Sequence, residues 1–177
     1  MRLPDPGAPP PRQQEISDRI RRAHGDITGP RLVWLRSPDL CERVEALSTY
    51  CLSGSSLRPR LRELLLLITA RRWGAEHCWK AHIGKAVSAG LDYAPLKILG
   101  RGQRPRFCEP DEEIMYRFAT ELLDQHSITD DTFAAALDLF GEQGVVDAIG
   151  AIGNFSMEAM LVNAFQVKPQ PGRFAAW

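Results

Sequence analysis

Two histidines, a cysteine and a tryptophan lie within six consecutive residues of the stretch GAEHCWKAHIGKAVSAG. They are His77, Cys78, Trp79 and His82. The stretch has the composition of a helix bounded by glycines, and in a helix residues four positions apart, such as Cys78 and His82, share a face. A thiol and an imidazole on one face can support nucleophilic, redox or acid–base chemistry. This face is therefore the first candidate for a functional site.

A glutamate in the preceding apolar segment is the predicted partner of His82. Residues 59–73, PRLRELLLLITARRW, are apolar around most of a helix, so Glu63 stands out there as an anomaly. A buried carboxylate is costly without a partner. Helices joined by a turn as tight as the one at Gly74 pack antiparallel. Counted from Gly74, Glu63 is 11 residues back and His82 is 8 forward, which predicts a Glu63–His82 pair. The alternative partners are Arg62, Arg72 or a backbone amide.

The predicted pair would make His82 a general acid or base, because the carboxylate fixes the tautomer of the imidazole and stabilises its charged form. Cys78 lies in the first helical turn, where the helix dipole and the adjacent histidine are expected to lower the pKa of its thiol. Each residue also has a structural alternative. His82 could satisfy a buried carbonyl, Cys78 and Trp79 could fill the core, and His77 could lie on the surface or at a subunit contact. A zinc site made by Glu63, Cys78 and His82 is a further alternative, although its spacing matches no common zinc pattern.

The composition is that of a soluble globular domain. Of 177 residues, 44% are hydrophobic and 25% are charged, and 22 Lys and Arg balance 22 Asp and Glu. This balance excludes a global attraction to nucleic acid or to an anionic membrane. No uninterrupted apolar run approaches the roughly 18 residues that span a bilayer, and MRLPDPGAPPPR is not a signal pattern, so we expect a cytoplasmic protein. The four cysteines, without a C-x-x-C pair, are expected to be reduced. They are Cys41, Cys51, Cys78 and Cys108.

The hydrophobic pattern predicts an all-α fold of about seven or eight helices, without several convincing strand patterns. Residues 1–24 are predicted to form a proline-rich arm followed by a short helix, and residues 25–177 to form one helical domain. Residues 59–73 and 75–89 are the two helices that carry the candidate site.

Caps and breakers predict several helix boundaries. Ser37 and Pro38 predict the start of a helix, and Thr129 is the predicted cap of a later one. Gly150 and Gly153 are expected to loosen the last helix. The apolar residues predicted to share one face of the helix that starts at Pro38 are Leu40, Val44 and Leu47.

The segment RELLLLITARRWGAEHCWKAHIGKAVSAGL resembles the core of the carboxymuconolactone decarboxylase family, which includes the alkylhydroperoxidase D (AhpD)-like proteins. The shared pattern is an Arg-Glu in an apolar helix, a small break, a Trp or Cys three or four positions before a His, and a closing Gly-Leu. The resemblance covers roughly residues 25–165 and implies an AhpD-like helical domain that assembles as a trimer or a dimer of trimers. The matching positions are Arg62, Glu63, Gly74, Cys78, Trp79, His82, Gly90 and Leu91.

The peroxidase branch of this family implies a relay of a Glu, a first Cys, a His, a second Cys and a final His. The positions of this chain that match the relay are Glu63, His77, Cys78 and His82. Ala75 occupies the position of the first Cys, so no C-x-x-C disulfide can form to resolve a sulfenic acid. Cys51 or Cys41 would have to take that part.

The decarboxylase branch keeps a Trp-x-x-His pattern, which WKAH matches. It implies a lyase that needs no cofactor and acts on a small carboxylated lactone or related organic anion. His82 would be the acid–base group, Glu63 would orient it, and Trp79, Arg62 and Arg58 would bind the substrate. A thiol peroxidase working through Cys78 and a non-catalytic ligand-binding or assembly protein are the alternatives. The expected partners are the substrate and further copies of the chain, without nucleic acid or membrane. Other arginines considered for anion binding are Arg60, Arg101, Arg104 and Arg106.

Overall fold

Eight α-helices and one π-helical turn make up the regular structure of the described residues, which are residue 2, residues 8–25 and residues 27–169 of a computed structural model. The helices are α1 (Pro11–His24), α2 (Pro30–Trp34), α3 (Pro38–Thr49), α4 (Pro59–Arg72), α5 (Glu76–Ser88), α6 (Tyr93–Gly100), α7 (Pro110–Gln125) and α8 (Asp130–Ala164). The π-helical turn, Tyr50–Gly54, continues α3. No strand occurs in these ranges, and the predicted all-α class is confirmed.

Prolines begin five of these eight helices, namely α1, α2, α3, α4 and α7. The pyrrolidine ring holds φ near its helical value, and its missing N–H has no partner within a first helical turn anyway. The start predicted at Pro38 is confirmed, with Ser37 as the preceding residue. The Ser37 side chain makes no capping hydrogen bond, whereas the Thr129 hydroxyl accepts one from the backbone N–H of Thr132 at the start of α8.

Helix α4 is the centre of the fold. Every residue from Leu64 to Ala70 is buried, and the helix packs against α5, α7 and α8. A helix that is apolar around its circumference needs neighbours on all sides, and the predicted central position of residues 59–73 is confirmed. The chain then reverses at Gly74, where φ is +59°, a value that favours glycine. The backbone N–H of Ala75 donates to the carbonyl of Ala70 at 2.8 Å, and this bond closes the turn into α5.

The N-terminal helix α1 packs against α3, and a second small core forms between them. Ile16 and Ile20 of α1 are 0% and 4% exposed. The part of the predicted proline-rich arm at residues 1 and 3–7 lies outside the described residues. The division of the chain between residues 24 and 25 stays a prediction, although α1 contributes directly to this core. The other buried members of the second core are Val33, Trp34, Leu35, Cys41, Val44 and Leu161.

Helix α3 turns a different face inward from the one that its leucines suggest. Val44 is 4% exposed, but Leu40 and Leu47 are 45% and 41% exposed, so the face predicted for Leu40, Val44 and Leu47 is buried only at Val44. The buried face runs instead through Cys41 and Val44, because α1 and α2 pack on that side. This orientation of α3 leaves Leu40 and Leu47 at the protein surface.

Helix α8 is a 35-residue segment that is interrupted at Gly141, where φ is 68° and ψ is 174°. The expected loosening at Gly150 and Gly153 is wrong, because both keep helical dihedral angles. Buried neighbours such as Ala151 and Phe155 anchor that half of the helix in the core. By length and composition α8 could cross a membrane, but 56% of its most apolar window is buried in the fold. Its apolar character is explained by its contacts with α4, α5 and α7.

Asp147 of α8 holds the π-helical turn and the loop before α4. Its Oδ1 accepts a hydrogen bond from the Tyr50 hydroxyl at 2.8 Å, and its Oδ2 accepts from the backbone N–H and the hydroxyl of Ser56, both at 2.7 Å. The residue is 7% exposed. Burial alone would raise the pKa of Asp147, but these hydrogen bonds outweigh it and lower the pKa.

We predict that Asp147→Ala lowers the free energy of unfolding by about 2 kcal/mol, because charge-assisted hydrogen bonds to the Ser56 amide and hydroxyl are lost. A carboxyl with a lowered folded pKa stabilises the fold above its unfolded pKa, and this stabilisation disappears as the pH falls through the folded pKa. The stability difference between wild type and Asp147→Asn should therefore narrow from about pH 7 to about pH 3 in urea unfolding followed by circular dichroism. The exposed Asp138→Asn is the matched control and should change stability by less than about 0.5 kcal/mol. If the stability difference between wild type and Asp147→Asn stayed constant with pH, the lowered pKa of Asp147 would be contradicted.

Candidate active site

A cavity of about 330 Å³ lies between α5 and its neighbours α2, α3, α4 and α8. This volume is at the small end of the range for ligand pockets in proteins. Helix α4 contributes the apolar side chains Leu66 and Ala70, and α8 contributes Phe155. The residues that α5 presents to the cavity are His77, Cys78, Ala81, His82 and Lys85.

His82 lines the cavity and is held from behind by Glu63. Its Nδ1 lies 2.9 Å from Oε2 of Glu63, and the two side chains are 15% and 14% exposed. Glu63 itself does not line the cavity. The predicted contact between these residues is confirmed. When Nδ1 carries the proton that is donated to Glu63, Nε2 remains the ring nitrogen that can exchange a proton with a ligand.

Cys78 lies one helical turn before His82 and is 8% exposed. Burial raises the pKa of the Cys78 thiol to about 12, and the negative charge of Glu158 adds to the rise. A backbone hydrogen bond opposes these effects only weakly. The expected lowering of this pKa is therefore wrong, because the loss of solvating water outweighs the position of Cys78 in the first turn of α5.

No second thiol reaches the cavity from the described part of the chain. Ala75, at the position of the first cysteine of the peroxidase pattern, is 0% exposed. Cys51 belongs to the main core and Cys41 to the second core, and neither lines the cavity. These cysteines are both free thiols. Neither is placed to resolve an oxidised Cys78 within the cavity.

His77 stands at the edge of the cavity and joins three parts of the chain. Its Nδ1 donates a hydrogen bond to the backbone carbonyl of Lys168 at 2.9 Å. A Cβ added at Gly29 would lie 3.0 Å from the His77 ring, and Gly29 has a φ of +58°. The glycine therefore permits both the turn before α2 and the close approach of the ring. These intramolecular contacts fix the ring between α5, the turn and the C-terminal segment.

The predicted substrate-binding residues lie away from the cavity. Trp79 is 2% exposed in the main core, because a step of about 100° around α5 turns it away from the face of Cys78. Arg58 is 74% exposed and lies 3.5 Å from Asp111 of α7. Arg62 does not line the cavity either. None of these three residues is placed to touch a ligand there.

The other arginines considered also point elsewhere. Arg60 makes a two-pronged pair with Asp111, with Nη2 2.6 Å from Oδ2, and Arg104 pairs with Glu113 at 2.5 Å. Both pairs connect to α7. Arg101 and Arg106 are exposed and do not line the cavity.

Two cationic residues that no sequence pattern marks line the cavity. Arg31 of α2 donates from Nε to Oε1 of Glu45 at 3.0 Å, and Lys85 extends from α5. Nothing in the sequence distinguishes these cations from the many others. Glu158 was also missed, although its place in the apolar run SMEAMLV is the same kind of anomaly that drew attention to Glu63.

The side chains of the described ranges contain no group of three or more His, Cys, Asp and Glu residues arranged to hold a metal ion. The zinc alternative for Glu63, Cys78 and His82 therefore has no support in their arrangement. The chemistry that the cavity offers is acid–base chemistry at His82 and, secondarily, thiol chemistry at Cys78.

Comparisons of the sequence with protein-family models and with curated proteins give no match. Comparison of the fold with solved structures gives several. An uncharacterized peroxidase-related protein from Silicibacter sp. TM1040 superposes with a TM-score of 0.75 at 16% identity, over 96% of this chain and 91% of the other. The debrominase Bmp8, as a cysteine-to-alanine variant in complex with 2,3,4-tribromopyrrole, gives 0.72 at 13% identity, over 96% and 94%.

A protein of unknown function from Agrobacterium tumefaciens, described as a candidate antioxidant defence protein AhpD, gives a TM-score of 0.66 at 17% identity. The match covers 76% of this chain and 92% of the other. Identities this low establish the fold and leave the reaction open. The chain therefore has the AhpD-like helical fold that its sequence resemblance implied.

Proposed function

We propose that this protein is an enzyme in which His82, oriented by Glu63, performs acid–base catalysis on a small carboxylated lactone or related organic anion. The observation that carries the proposal is the 2.9 Å contact between Nδ1 of His82 and Oε2 of Glu63 at the wall of a cavity of ligand size. Two side chains from different helices meet in a half-buried setting, where a carboxylate can hold an imidazole in one tautomer.

The pair suits repeated proton transfer. With Glu63 accepting from Nδ1, the neutral ring offers the lone pair of Nε2 as a base, and the protonated ring offers Nε2–H as an acid. The Glu63 carboxylate stabilises the imidazolium form, in the manner of the acid–histidine pairs of hydrolases. Because Glu63 is fixed in the buried helix α4, the ring is held without rearrangement of the cavity.

Decarboxylation is the first reaction that we infer for this site. The bond between the substrate carbon and its carboxylate breaks, carbon dioxide leaves, and the electron pair moves into the conjugated lactone carbonyl. Protonated His82 then gives its Nε2 proton to carbon, and the electron pair returns from the oxygen. This sequence needs no cofactor, because the conjugated carbonyl itself accepts the electrons. Arg31 and Lys85, rather than Arg58 and Arg62, are the cations placed to attract the substrate carboxylates.

A thiol peroxidase is the second candidate function. Cys78 lines the cavity one turn from His82, and one protein of the same fold is named as peroxidase-related. The raised pKa of Cys78 and the missing second thiol make this the weaker candidate. The ligand of Bmp8, a small brominated ring, supports a small planar substrate for either chemistry.

Self-association, as a trimer or a dimer of trimers, is part of the proposal. Exposed apolar side chains support it, since Leu40, Leu47, Val146 and Ile149 are 41–66% exposed. The cytoplasmic location stays a prediction.

We predict that His82→Ala lowers kcat on carboxymuconolactone at least about 100-fold, because the acid–base group is removed. Glu63→Gln should lower kcat about 10- to 100-fold, because the amide cannot stabilise the imidazolium. Cys78→Ser should change kcat less than about threefold, since the thiol takes no part in proton transfer. Carbon dioxide release and loss of the lactone absorbance are the two measurements.

The exposed His126→Asn is the matched control, because it removes a histidine outside the cavity and leaves the fold intact. Hydrogen peroxide consumption that is abolished by Cys78→Ser and retained by His126→Asn would favour the peroxidase instead. Ligand binding without turnover of either substrate would favour the non-catalytic alternative.

We predict that iodoacetamide at about pH 8 modifies the exposed Cys108 and leaves Cys78 largely unmodified, because the thiolate is the reactive form and burial disfavours it. With a pKa of about 12, the rate at Cys78 should rise about tenfold per pH unit between pH 7 and pH 9. Mass spectrometry of peptides gives both rates, and Cys108→Ser removes the fast-reacting site. Rapid modification of Cys78 at neutral pH would contradict the ranking of acid–base catalysis above the thiol peroxidase.

A further inference from the structure

A second carboxyl group faces the cavity from α8. Glu158 lies one turn after Asn154, and both line the cavity. Oε2 of Glu158 accepts a hydrogen bond from the indole Nε1 of Trp34 at 2.7 Å. The indole fixes the orientation of the carboxyl group, and the chemistry described for His82 does not use it.

The other oxygen of Glu158 is available to a ligand. Oε1 makes no hydrogen bond with any described residue. Every fully buried polar side-chain atom in the described ranges has a hydrogen-bond partner, so Oε1 is not fully buried. Oε1 is therefore open to the cavity rather than sealed in the protein. A ligand atom can reach it without breaking an existing contact.

No cation is paired with Glu158 in the described part of the chain. Arg31, a cation that lines the same cavity, is 3.0 Å from Oε1 of Glu45 and is held by that residue. Helix α4 presents only apolar side chains to the cavity, and the π-helical turn presents Leu52. The titratable and charged groups that share the cavity with Glu158 are Arg31 from α2, Glu45 from α3, and His77, Cys78, His82 and Lys85 from α5.

Burial raises the pKa of Glu158 above its usual range. The hydrogen bond from Trp34 opposes this rise, the charge of Glu45 adds to it, and Arg31 again opposes it, so the neutral acid costs less here than in an exposed glutamate. A neutral carboxylic acid carries a hydrogen-bond donor, whereas a carboxylate can only accept.

On the basis of the proposed function, we propose that Glu158 recognises the anionic substrate as a neutral acid. Its protonated Oε1 donates a hydrogen bond to a carboxylate or carbonyl oxygen of the bound organic anion, while Oε2 remains with Trp34. Glu158 on α8 then holds the anion by a hydrogen bond, while His82 on α5 remains the group that exchanges a proton with it.

The proposal links binding to proton uptake. An ionised Glu158 would repel an anion, so the ligand selects the neutral form and holds its proton in place. Above the pKa of free Glu158, each ligand that binds must therefore take up about one proton, and the affinity should fall up to tenfold per pH unit.

The test is calorimetric titration with muconate, a stable dicarboxylate, between about pH 6 and pH 9 in buffers of different ionisation enthalpy. Wild type is expected to take up about one proton per muconate at the upper end of this range. Glu158→Gln should still bind muconate and lose that uptake, because the amide donates from the same position without titrating. Glu142→Gln is the matched control, because Glu142 is exposed and lies outside the cavity, and it should retain the uptake.

Equal proton uptake in wild type and Glu158→Gln would overturn the proposal, as would the absence of muconate binding by wild type. Carbon-13 NMR of glutamate-labelled, ligand-free protein provides a second measurement. A carboxyl signal that titrates above the usual range of glutamate should be present in wild type and absent from Glu158→Gln. Its absence from wild type would overturn the proposal without reference to any ligand. Proton-linked binding without lactone turnover would contradict the proposed reaction but would still support this role of Glu158.

Discussion

The contact between Glu63 and His82 is the interaction on which the candidate site depends. Glu63 lies in the central helix α4, whose buried residues are apolar apart from Thr69, and a carboxylate there needs a partner. The partner comes from α5 because the turn at Gly74 folds that helix directly back along α4. The same contact thus satisfies a charge that the fold would otherwise bury alone and fixes an imidazole at the wall of a cavity. One hydrogen bond therefore contributes both to the stability of the fold and to the orientation of the candidate acid–base group.

The cavity lies where the two hydrophobic cores meet. The main core surrounds α4, while the second core joins α1, α2 and α3 to the end of α8. Polar groups at such a boundary can be held by hydrogen bonds from either side. Trp34 of the second core donates to Glu158, and Ser48 of α3 donates to Asn154 at 3.1 Å. The polar lining of the cavity therefore consists largely of side chains that belong to neither hydrophobic core.

The sequence predicts those features that depend on neighbouring segments. The apolar run of α4, the break at Gly74 and the spacing of His82 are enough to predict both helices and their contact. Features that depend on distant packing are not predictable in this way. Leu40 and Leu47 repeat with helical spacing, yet the helices that pack on α3 decide which face is buried. The predicted lowering of the pKa of Cys78 is wrong for the same reason, since it considers only the position of Cys78 at the start of α5 and not its burial by other helices.

The hydrogen bonds between Trp34 and Glu158 and between Ser48 and Asn154 join neighbouring helices at the cavity, because α8 provides one member of each bond and α2 or α3 the other. Beyond Gly141, α8 is also tied to the chain before α4 through Asp147. These cross-links tie α8 to α2, α3 and the chain before α4, so a shift of α8 would carry Asn154 and Glu158 with it and change the polar lining of the cavity.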